Sequence, residues 1–214
     1  MAIASVKQFL DTVKKNKISK STQFRLLQFD GCPEYVKKEF QEDGGYLYLK
    51  SGSVPSRTLS EISIQYQGFK FPIPGQVEYE SPQEFTFRTP ENYLWRNALE
   101  QWSFDTFNEL TGNGIGFPCD SSIMDIGLVN DSGNLIRIYR YFNIWPSKVG
   151  AITYNLSEAP TEVEFPVSFA FTRWAVITVT DDGSLDDSNS SDEQKAIFEQ
   201  YRSAIETSKT TCSK

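Results

Sequence analysis

The segment from residue 163 to 171, VEFPVSFAF, alternates between apolar and more polar residues almost without a break. Successive side chains of a β-strand point to opposite faces, so residues two apart in sequence share a face. One face would carry Val163, Phe165, Val167, Phe169 and Phe171, and the other Glu164, Pro166, Ser168 and Ala170. A large apolar face of this kind has to be covered, so the segment predicts a strand with one face in the core of a sheet protein.

A proline-containing segment precedes this strand. An aromatic pair at 141–142 is typical of a strand end, and Trp145 and Pro146 follow it. Proline fixes its own φ and disfavours the helical region for the residue before it. With Gly150 closing a turn, the stretch from 141 to 171 predicts strand, corner, strand.

Charge is distributed unevenly along the chain. The formal net charge is −7, but residues 181–193 contain six acidic residues and no basic one, and removing them leaves −1. The first 20 residues have the opposite bias, with five lysines against one aspartate. A nucleic-acid-binding protein of the basic-patch type needs clustered Lys and Arg, so that class is not expected. The acidic run predicts a solvated linker or, alternatively, an exposed charged belt that contacts an outer protein layer.

Periodicity and turn residues assign the other elements. Amphipathic spacing predicts a helix over 2–15. A main helix is predicted to begin after Thr89, which can cap it, with Pro90 at its first position. The apolar stripe of the main helix is Leu94, Trp95, Ala98, Leu99 and Trp102, and a C-terminal helix is predicted from Ile197, Phe198, Tyr201 and Ile205. The predicted strands are Phe24–Phe29, Tyr46–Lys50, Ile62–Tyr66, Phe69–Phe71, Val77–Tyr79, Phe85–Arg88, Ile123–Val129 and Leu135–Phe142. Pro72, Pro74 and Gly75 are expected to end the strand at 69–71, and a helical turn is expected at 34–39.

These elements amount to about seven to nine strands around one main helix. We therefore predict a mainly β (α+β) fold, an antiparallel β-barrel or sandwich with one packed main helix, plus N- and C-terminal helical extensions. At 214 residues, 39% of them apolar, the chain suffices for one sizeable core. The expected division is an N-terminal helix or arm at 1–20, a β-barrel domain at 21–180, and an acidic linker with a C-terminal helix at 181–214.

The sequence contains no histidine, which excludes Ser-His and Cys-His nucleophile pairs and most zinc sites. Gly112 to Gly116 contains three glycines but lacks the Lys-Ser/Thr of a P-loop, so a connector is expected there. We therefore expect no enzyme, metal site or cofactor. The three cysteines Cys32, Cys119 and Cys212 are odd in number and far apart, which favours reduced thiols over a disulfide framework. Neither a signal peptide nor a membrane span is expected.

The segment from Trp145 to Trp174 resembles the C-terminal hairpin of the tail tube proteins of contractile-tailed bacteriophages. That family has a Trp-Pro-x-x-x-Gly corner and then an alternating strand ending in aromatic-x-x-Trp, matched here by Trp145, Pro146, Gly150, Phe171 and Trp174. The segments FRLLQF, YLYLK with its Pro-containing loop, FKFPIPG and TFRTPENYLWRNALEQW are similar to the family's earlier elements, so the resemblance covers about residues 22–179. The N-terminal helix and the tail after residue 180 depart from the family pattern.

The resemblance implies a structural protein of the virion, the inner tail tube of a contractile phage tail. Copies would form hexameric rings that stack into a conduit for genome ejection, assembled in the host cytoplasm and surrounded by a sheath. Baseplate and tail-terminator proteins would be further partners, and DNA would pass through the lumen without sequence-specific binding. The resemblance also implies an inter-ring contact loop, and the residues in that position are Ser51, Gly52, Ser53, Val54, Pro55, Ser56, Arg57 and Thr58.

Other interpretations remain open at this point. The chain is also compatible with a tube-initiator protein of the baseplate with the same fold, or with the related tube protein of a type VI secretion system. A different class would be a monomeric β-barrel that binds a small apolar ligand, which requires an apolar cavity and a stable monomer.

Overall fold

The computed structural model describes residues 6–17, 19–41, 44–114, 122–154, 162–179 and 185–186. The helices are α1 (Val6–Asn16), α2 (Glu34–Gln41) and α3 (Leu94–Thr106), with a 3₁₀ turn at Gly45–Tyr48. The strands are β1 (Phe24–Asp30), β2 (Leu49–Gly52), β3 (Arg57–Tyr66), β4 (Phe69–Tyr79), β5 (Gln83–Arg88), β6 (Phe107–Asn108), β7 (Asn113–Gly114), β8 (Ile123–Val129), β9 (Leu135–Phe142), β10 (Trp145–Val149), β11 (Glu164–Ala170), β12 (Arg173–Val179) and β13 (Leu185–Asp186). The predicted C-terminal helix, Cys119 and Cys212 lie outside the described residues.

Two antiparallel sheets form the body of the described chain. The larger sheet has the strand order β1-β8-β9-β12-β13, and the smaller has the order β10-β11-β5-β2. No described strand belongs to both sheets, and one hydrophobic core contains residues from each of them, such as Met124 from β8 and Phe165 from β11. The predicted mainly β, α+β fold is confirmed, in the form of a sandwich.

The alternation in β11 is the clearest confirmed pattern. Phe165, Val167 and Phe169 are completely buried, whereas the intervening Pro166 and Ser168 are only half-buried. β11 lies between β10 and β5 in the smaller sheet, so its apolar face meets the larger sheet across the core. The predicted stripe of α3 also packs there, with Trp95, Ala98, Leu99 and Trp102 buried, although Leu94 is exposed.

The corner lies earlier in the chain than predicted. The backbone turns at Asn143, whose φ is +55°, and at the fully buried Ile144, because β9 and β10 belong to different sheets. Trp145 and Pro146 are part of β10 rather than of a corner between strands. A proline is tolerated there because β10 is an edge strand, where the missing N–H can face away from the ladder.

The strand predicted at Tyr46–Lys50 is wrong in its first half. Gly44 has a left-handed conformation with φ of +69°, and the Leu47 N–H donates to the Gly44 carbonyl at 2.9 Å, which begins a 3₁₀ turn. Strand β2 therefore starts only at Leu49 and continues to Gly52.

The main helix begins five residues later than its predicted cap. The Thr89 N–H donates to the Val163 carbonyl at 2.9 Å, which extends the pairing of β5 and β11, so the chain is still paired with a strand at Thr89 and the helix does not start there. Pro90 instead opens a turn that the Tyr93 N–H closes at 3.0 Å. Tyr93, with φ of +56°, precedes the first helical residue.

Strand β4 is longer than predicted. It continues through Pro72, Pro74 and Gly75 to Tyr79, so the expected break and the separate strand at 77–79 are wrong. A two-stranded ribbon has two open edges, and the prolines can direct their missing donor positions toward those edges. Strand β12, which follows β11 after only two residues, was not predicted.

The remaining predicted elements agree with the structure to within a few residues, except that β3 begins at Arg57, five residues before the strand predicted at Ile62–Tyr66. The first helix corresponds to α1, the expected helical turn at 34–39 is the full helix α2, and β1, β5, β8 and β9 match their predicted strands. Ten described strands have at least four residues, slightly more than the seven to nine predicted. No helix within the described ranges is both long enough and apolar enough to span a bilayer.

Candidate assembly interface

The β3–β4 hairpin is a two-stranded sheet of its own and carries eight of the large hydrophobic side chains that are exposed within the described residues. Its tip is the pair Gln67 and Gly68, both with positive φ (+48° and +83°), as a two-residue hairpin turn requires. The large hydrophobic side chains near the tip are 42% to 70% exposed. They are Ile62, Ile64, Tyr66, Phe69, Phe71 and Ile73.

These six side chains share one face of the hairpin, which we call the apolar face. Their cross-strand partners are each other, because Ile62 lies opposite Ile73, Ile64 opposite Phe71, and Tyr66 opposite Phe69. Directly opposite residues of an antiparallel pair point to the same side. The reverse face holds polar pairs such as Gln65 opposite Lys70. The hairpin is therefore amphipathic, yet its apolar face lies away from the core.

A β-bulge in β4 sets the direction of the apolar face. Leu59 lies opposite Val77, but Glu61 lies opposite Pro74, so β4 has one more residue than β3 in this interval. The Ser60 hydroxyl oxygen accepts a hydrogen bond from the Gln76 N–H at 2.8 Å. Leu59 is three residues from Ile62 on the regular strand β3, so the two side chains point to opposite sides. The bulge thus places the apolar side chains at the base of the hairpin, Leu59 and Val77, on the opposite side from those near its tip.

The root of the hairpin is attached to the sandwich by side-chain contacts. The rings of Tyr79 and Trp174 lie 6.2 Å apart, and the Trp174 Nε1–H donates to the Ser56 carbonyl at 3.1 Å. The Ser56 hydroxyl in turn donates to the Glu80 carboxylate at 2.7 Å. These contacts fix the base of the β3–β4 hairpin to the sandwich, while its tip extends into solvent.

The predicted contact loop is shorter than 51–58 and is well anchored. Ser51 and Gly52 belong to β2, Arg57 and Thr58 belong to β3, and Ser53, Val54, Pro55 and Ser56 form the loop between them. The Gln83 amide donates to the Ser53 carbonyl at 2.9 Å and to its hydroxyl at 2.6 Å, and Pro55 is buried. The loop is therefore a tight connection that leads into the exposed hairpin, and its role in contacts remains a prediction.

The motif residues near the C-terminal strands are structural. Phe171 is buried with its ring 5.1 Å from Tyr141, and Trp145 is half-buried against the core. The Gly150 N–H donates to the Pro166 carbonyl at 2.7 Å, and a Cβ on Gly150 would lie at the same 2.7 Å from that oxygen. The Gly150 carbonyl accepts from the Arg96 guanidinium at 2.8 Å, which joins this turn to α3.

A groove of about 220 Å³ opens between the edge strands β1 and β2. Its apolar lining is Phe24, Leu49, Val54, Phe85, Ile126 and Leu128, and Lys20 lies on its polar rim. Gly52 lets the backbone of β2 lie against the Phe85 ring, because a Cβ there would lie only 2.4 Å from that ring.

The titratable groups of the body serve packing rather than chemistry. Burial raises the pKa of the Cys32 thiol to about 12, so the group stays protonated and behaves as a small apolar side chain. Burial also raises the pKa of the Tyr141 hydroxyl, which donates to the Gln83 side-chain carbonyl at 3.1 Å. Within the described ranges, no group of three or more Cys or acidic side chains converges as a metal site would.

Sequence reasoning missed both the apolar face and the groove. The alternation of Ile62, Ile64 and Tyr66 was visible, but an alternating strand does not reveal whether its apolar face is covered. The resemblance implied a contact loop at 51–58, whereas the exposed element begins at Arg57 and continues to Tyr79.

Comparison with known proteins supports the fold. No family model matches the chain, and no curated protein does. The tube-terminating cap of the anti-feeding prophage is similar at 12% identity with a TM-score of 0.56, covering 77% of this chain and 93% of that one. A chain of an extracellular contractile injection system, in the PVC sheath-tube complex, is 15% identical with a TM-score of 0.49, covering 83% of this chain and all of that one. Hcp1 of an E. coli pathovar is 12% identical with a TM-score of 0.40, covering 76% and 94%. The likeness to the cap protein shows a shared fold.

Proposed function

We propose that this protein is a structural, non-enzymatic subunit whose copies associate into rings and stack into a tube. The apolar face of the β3–β4 hairpin is the observation that carries the proposal. Its six exposed side chains present an apolar area of roughly 500 Å² or more, at the upper end of what monomeric proteins leave exposed. An isolated two-stranded ribbon is only marginally stable in water, so a surface of this kind favours a covering partner.

The open sheet edges favour a second copy as that partner. β1 and β13 are the outer strands of the larger sheet, and β10 and β2 are those of the smaller one. Unpaired edges are a hazard for a monomer, but in a ring each edge can face the next subunit. A contact between two different surfaces of the same protein closes into a ring or continues as a stack, depending on its rotation. The hairpin supplies the stacking contact in this proposal, and the edges supply the ring contact.

The finer form of the proposal is the inner tail tube of a contractile phage, with six subunits per ring. A sheath protein, a baseplate and a terminator are its partners, and DNA passes through the lumen of a particle that works outside the cell. The shared fold with the tube-terminating cap of the anti-feeding prophage is consistent with this class of assembly. A tube-initiator or cap position in the same apparatus is the alternative role.

The test is assembly of the purified chain. Negative-stain microscopy and sedimentation velocity are expected to show rings with a central hole and short stacks. Replacing Ile64 and Phe71, an opposite pair on the apolar face, by Ser should abolish stacking and leave the circular dichroism of the body unchanged. The matched control replaces Gln65 and Lys70, the adjacent opposite pair on the polar face, by Ser and should stack normally. A wild-type chain that stays monomeric at high concentration would refute the proposal, as would normal stacking of the Ile64 and Phe71 variant.

The competing function, a monomeric barrel that binds a small ligand, has less support. The groove between β1 and β2 has a volume of about 220 Å³, below the ~300–1,000 Å³ of ordinary ligand pockets. Light scattering and mass spectrometry of extracted ligands distinguish the two functions, because only the barrel hypothesis expects a stable monomer with a bound small molecule.

A further inference from the structure

Helix α1 presents a surface that is both apolar and basic and that no other part of the described chain covers. Val6 and Leu10 are 75% and 49% exposed, and Val13 continues their stripe at helical spacing. Lys7 and Lys14 flank this stripe on one side, since residues seven apart lie almost above each other on a helix. A helix with an uncovered apolar stripe and flanking lysines fits an acidic partner that also supplies apolar side chains.

The link after α1 is fixed next to the groove between β1 and β2. The Lys20 ammonium lies 2.8 Å from the Asp131 carboxylate, and the Gln23 amide donates to the same carboxylate at 2.7 Å. The Val129 N–H donates to the Gln23 carbonyl at 3.1 Å. Residues of this link, among them Ser19 and Ser21, line one wall of the groove, so α1, which ends at Asn16, comes only a few residues before the groove wall in sequence.

The opposite edge of the same sheet leads into a segment of complementary chemistry. β13 ends at Asp186, and residues 187–214 follow it. The first part of this segment, 187–193, holds three acidic residues (Asp187, Asp192 and Glu193) and no basic one, and the predicted stripe of Ile197, Phe198, Tyr201 and Ile205 comes next in sequence. The chain thus has a basic segment with an apolar groove at one sheet edge, and an acidic segment followed by an apolar stripe at the other.

A second copy is the occupant that this arrangement favours. The two edges of a five-stranded sheet lie about 19 Å apart, because neighbouring strands are spaced by ~4.8 Å. In a head-to-tail ring the β13 edge of one copy faces the β1 edge of the next, so the acidic segment starts beside the neighbour's lysines. Within one copy the same segment starts at the edge of the larger sheet farthest from the groove.

We propose that residues 187–214 of each copy bind the next copy in the ring, with the acidic residues against the lysines of α1 and its link, and the apolar stripe in the groove between β1 and β2. This inference rests on the proposed ring assembly and assigns its lateral contact to the two ends of the chain. The groove has room for one or two large side chains, and Phe198 is the central aromatic residue of the stripe.

A charge-swap experiment with full-length chains tests the contact. One variant carries Lys7→Glu, Lys14→Glu and Lys15→Glu, and the other carries Asp187→Lys, Asp192→Lys and Glu193→Lys. Each variant alone should associate about tenfold more weakly than the wild type, as expected for a few exposed charge pairs. An equimolar mixture should regain association, because each reversed end then meets an oppositely charged end, and a six-membered ring permits strict alternation.

The apolar part of the contact has its own variant. Phe198→Ser should weaken association, whereas Gln200→Ser, two residues away and off the predicted stripe, should not. Carbodiimide cross-linking of a mixture of ¹⁵N-labelled and unlabelled wild-type chains should join lysines of α1 to acids of 187–193 in mixed-isotope peptides, which only an intermolecular contact produces.

The possible failures are distinguishable. If the wild type forms rings and both charge variants form them equally well, the inference is wrong and the proposed function stands. Recovery only when both sets of changes are in one chain, with no recovery on mixing, would show a contact within a single copy and would overturn the inference. If the wild type forms no rings at all, the proposed function itself fails.

Discussion

Asp125 on β8 is a buried carboxylate, 3% exposed, whose oxygens accept three hydrogen bonds. Arg140 on β9 donates from Nε at 2.8 Å and from Nη2 at 2.7 Å, and the Gln28 amide on β1 donates at 2.9 Å. Burial by itself lowers the pKa of the Arg140 guanidinium, but the hydrogen bonds and charge of Asp125 outweigh it and the net shift is upward. The pair thus links three neighbouring strands at a defined register.

At the residue scale, we predict that Asp125→Ala lowers the free energy of unfolding by about 2–3 kcal/mol, because it removes the acceptor of a partly buried guanidinium. Urea denaturation followed by circular dichroism measures the loss. The double variant Asp125→Leu with Arg140→Met is the control, and it should be more stable than Asp125→Ala since neither charge remains. A single variant as stable as the wild type would contradict the prediction.

The β3–β4 hairpin shows how one inserted residue redirects a whole element. Without the bulge at Gly75 and Gln76, the strand alternation would place Val77 on the same side as Ile73. With it, the root faces Trp174 on the body while the apolar face of the tip points the other way. The bulge therefore lets a single hairpin contact its own body at one end and a neighbour at the other.

At the element scale, we predict that Gly75→Ala disturbs assembly more than folding. An added Cβ would lie 2.6 Å from the Ser60 hydroxyl oxygen and 3.0 Å from the Ser60 carbonyl oxygen, a local strain of about 1–3 kcal/mol. Sedimentation velocity should show weaker association while the unfolding temperature of the body is unchanged. The neighbouring exposed change Gln76→Ala keeps the backbone of the bulge and should assemble as the wild type does. Equal assembly of both variants would be evidence against a directing role for the bulge.

The sandwich as a whole is joined through aromatic contacts around Phe169 on β11. Its ring centroid lies 5.8 Å from Phe29 on β1, 6.0 Å from Phe85 and 6.4 Å from Phe87 on β5, and 6.4 Å from Trp102 on α3. One side chain thus contacts both sheets and the main helix. Ring pairs at these distances add to the stabilisation that burial alone supplies.

At the scale of the molecule, we predict that Phe169→Ala destabilises the protein by about 3–5 kcal/mol and that both sheets still unfold in one transition. Hydrogen exchange and near-ultraviolet circular dichroism measure the two effects. The control is Phe71→Ala, the same chemical change on the exposed hairpin, which should alter the free energy of unfolding by less than about 0.5 kcal/mol. Similar losses for both variants would contradict the assignment of Phe169 to a shared core.

Much of the body could be predicted because residues on a buried face recur at regular spacing in the sequence. The apolar row Phe165, Val167 and Phe169 and the paired tryptophans Trp95 and Trp102 are all buried as their spacing predicts. Element ends were predicted less well, because they depend on partners distant in sequence. Thr89 is a good helix cap by residue type, but its N–H donates to the Val163 carbonyl, which continues the strand pairing there and leaves the helix to start at Leu94.

Three properties belong to the sequence alone: alternating strands, no histidine, and opposite charges near the two ends of the chain. The alternation determines a mainly β protein with one core, and the charges determine two unlike termini. The tertiary structure decided which apolar faces are covered. Phe169 and Phe71 lie in similar alternating patterns, yet one is completely buried and the other is half exposed. Whether such a side chain is buried depends on whether a second sheet packs against its strand. That packing brings together residues far apart in sequence, so the local alternation cannot reveal it.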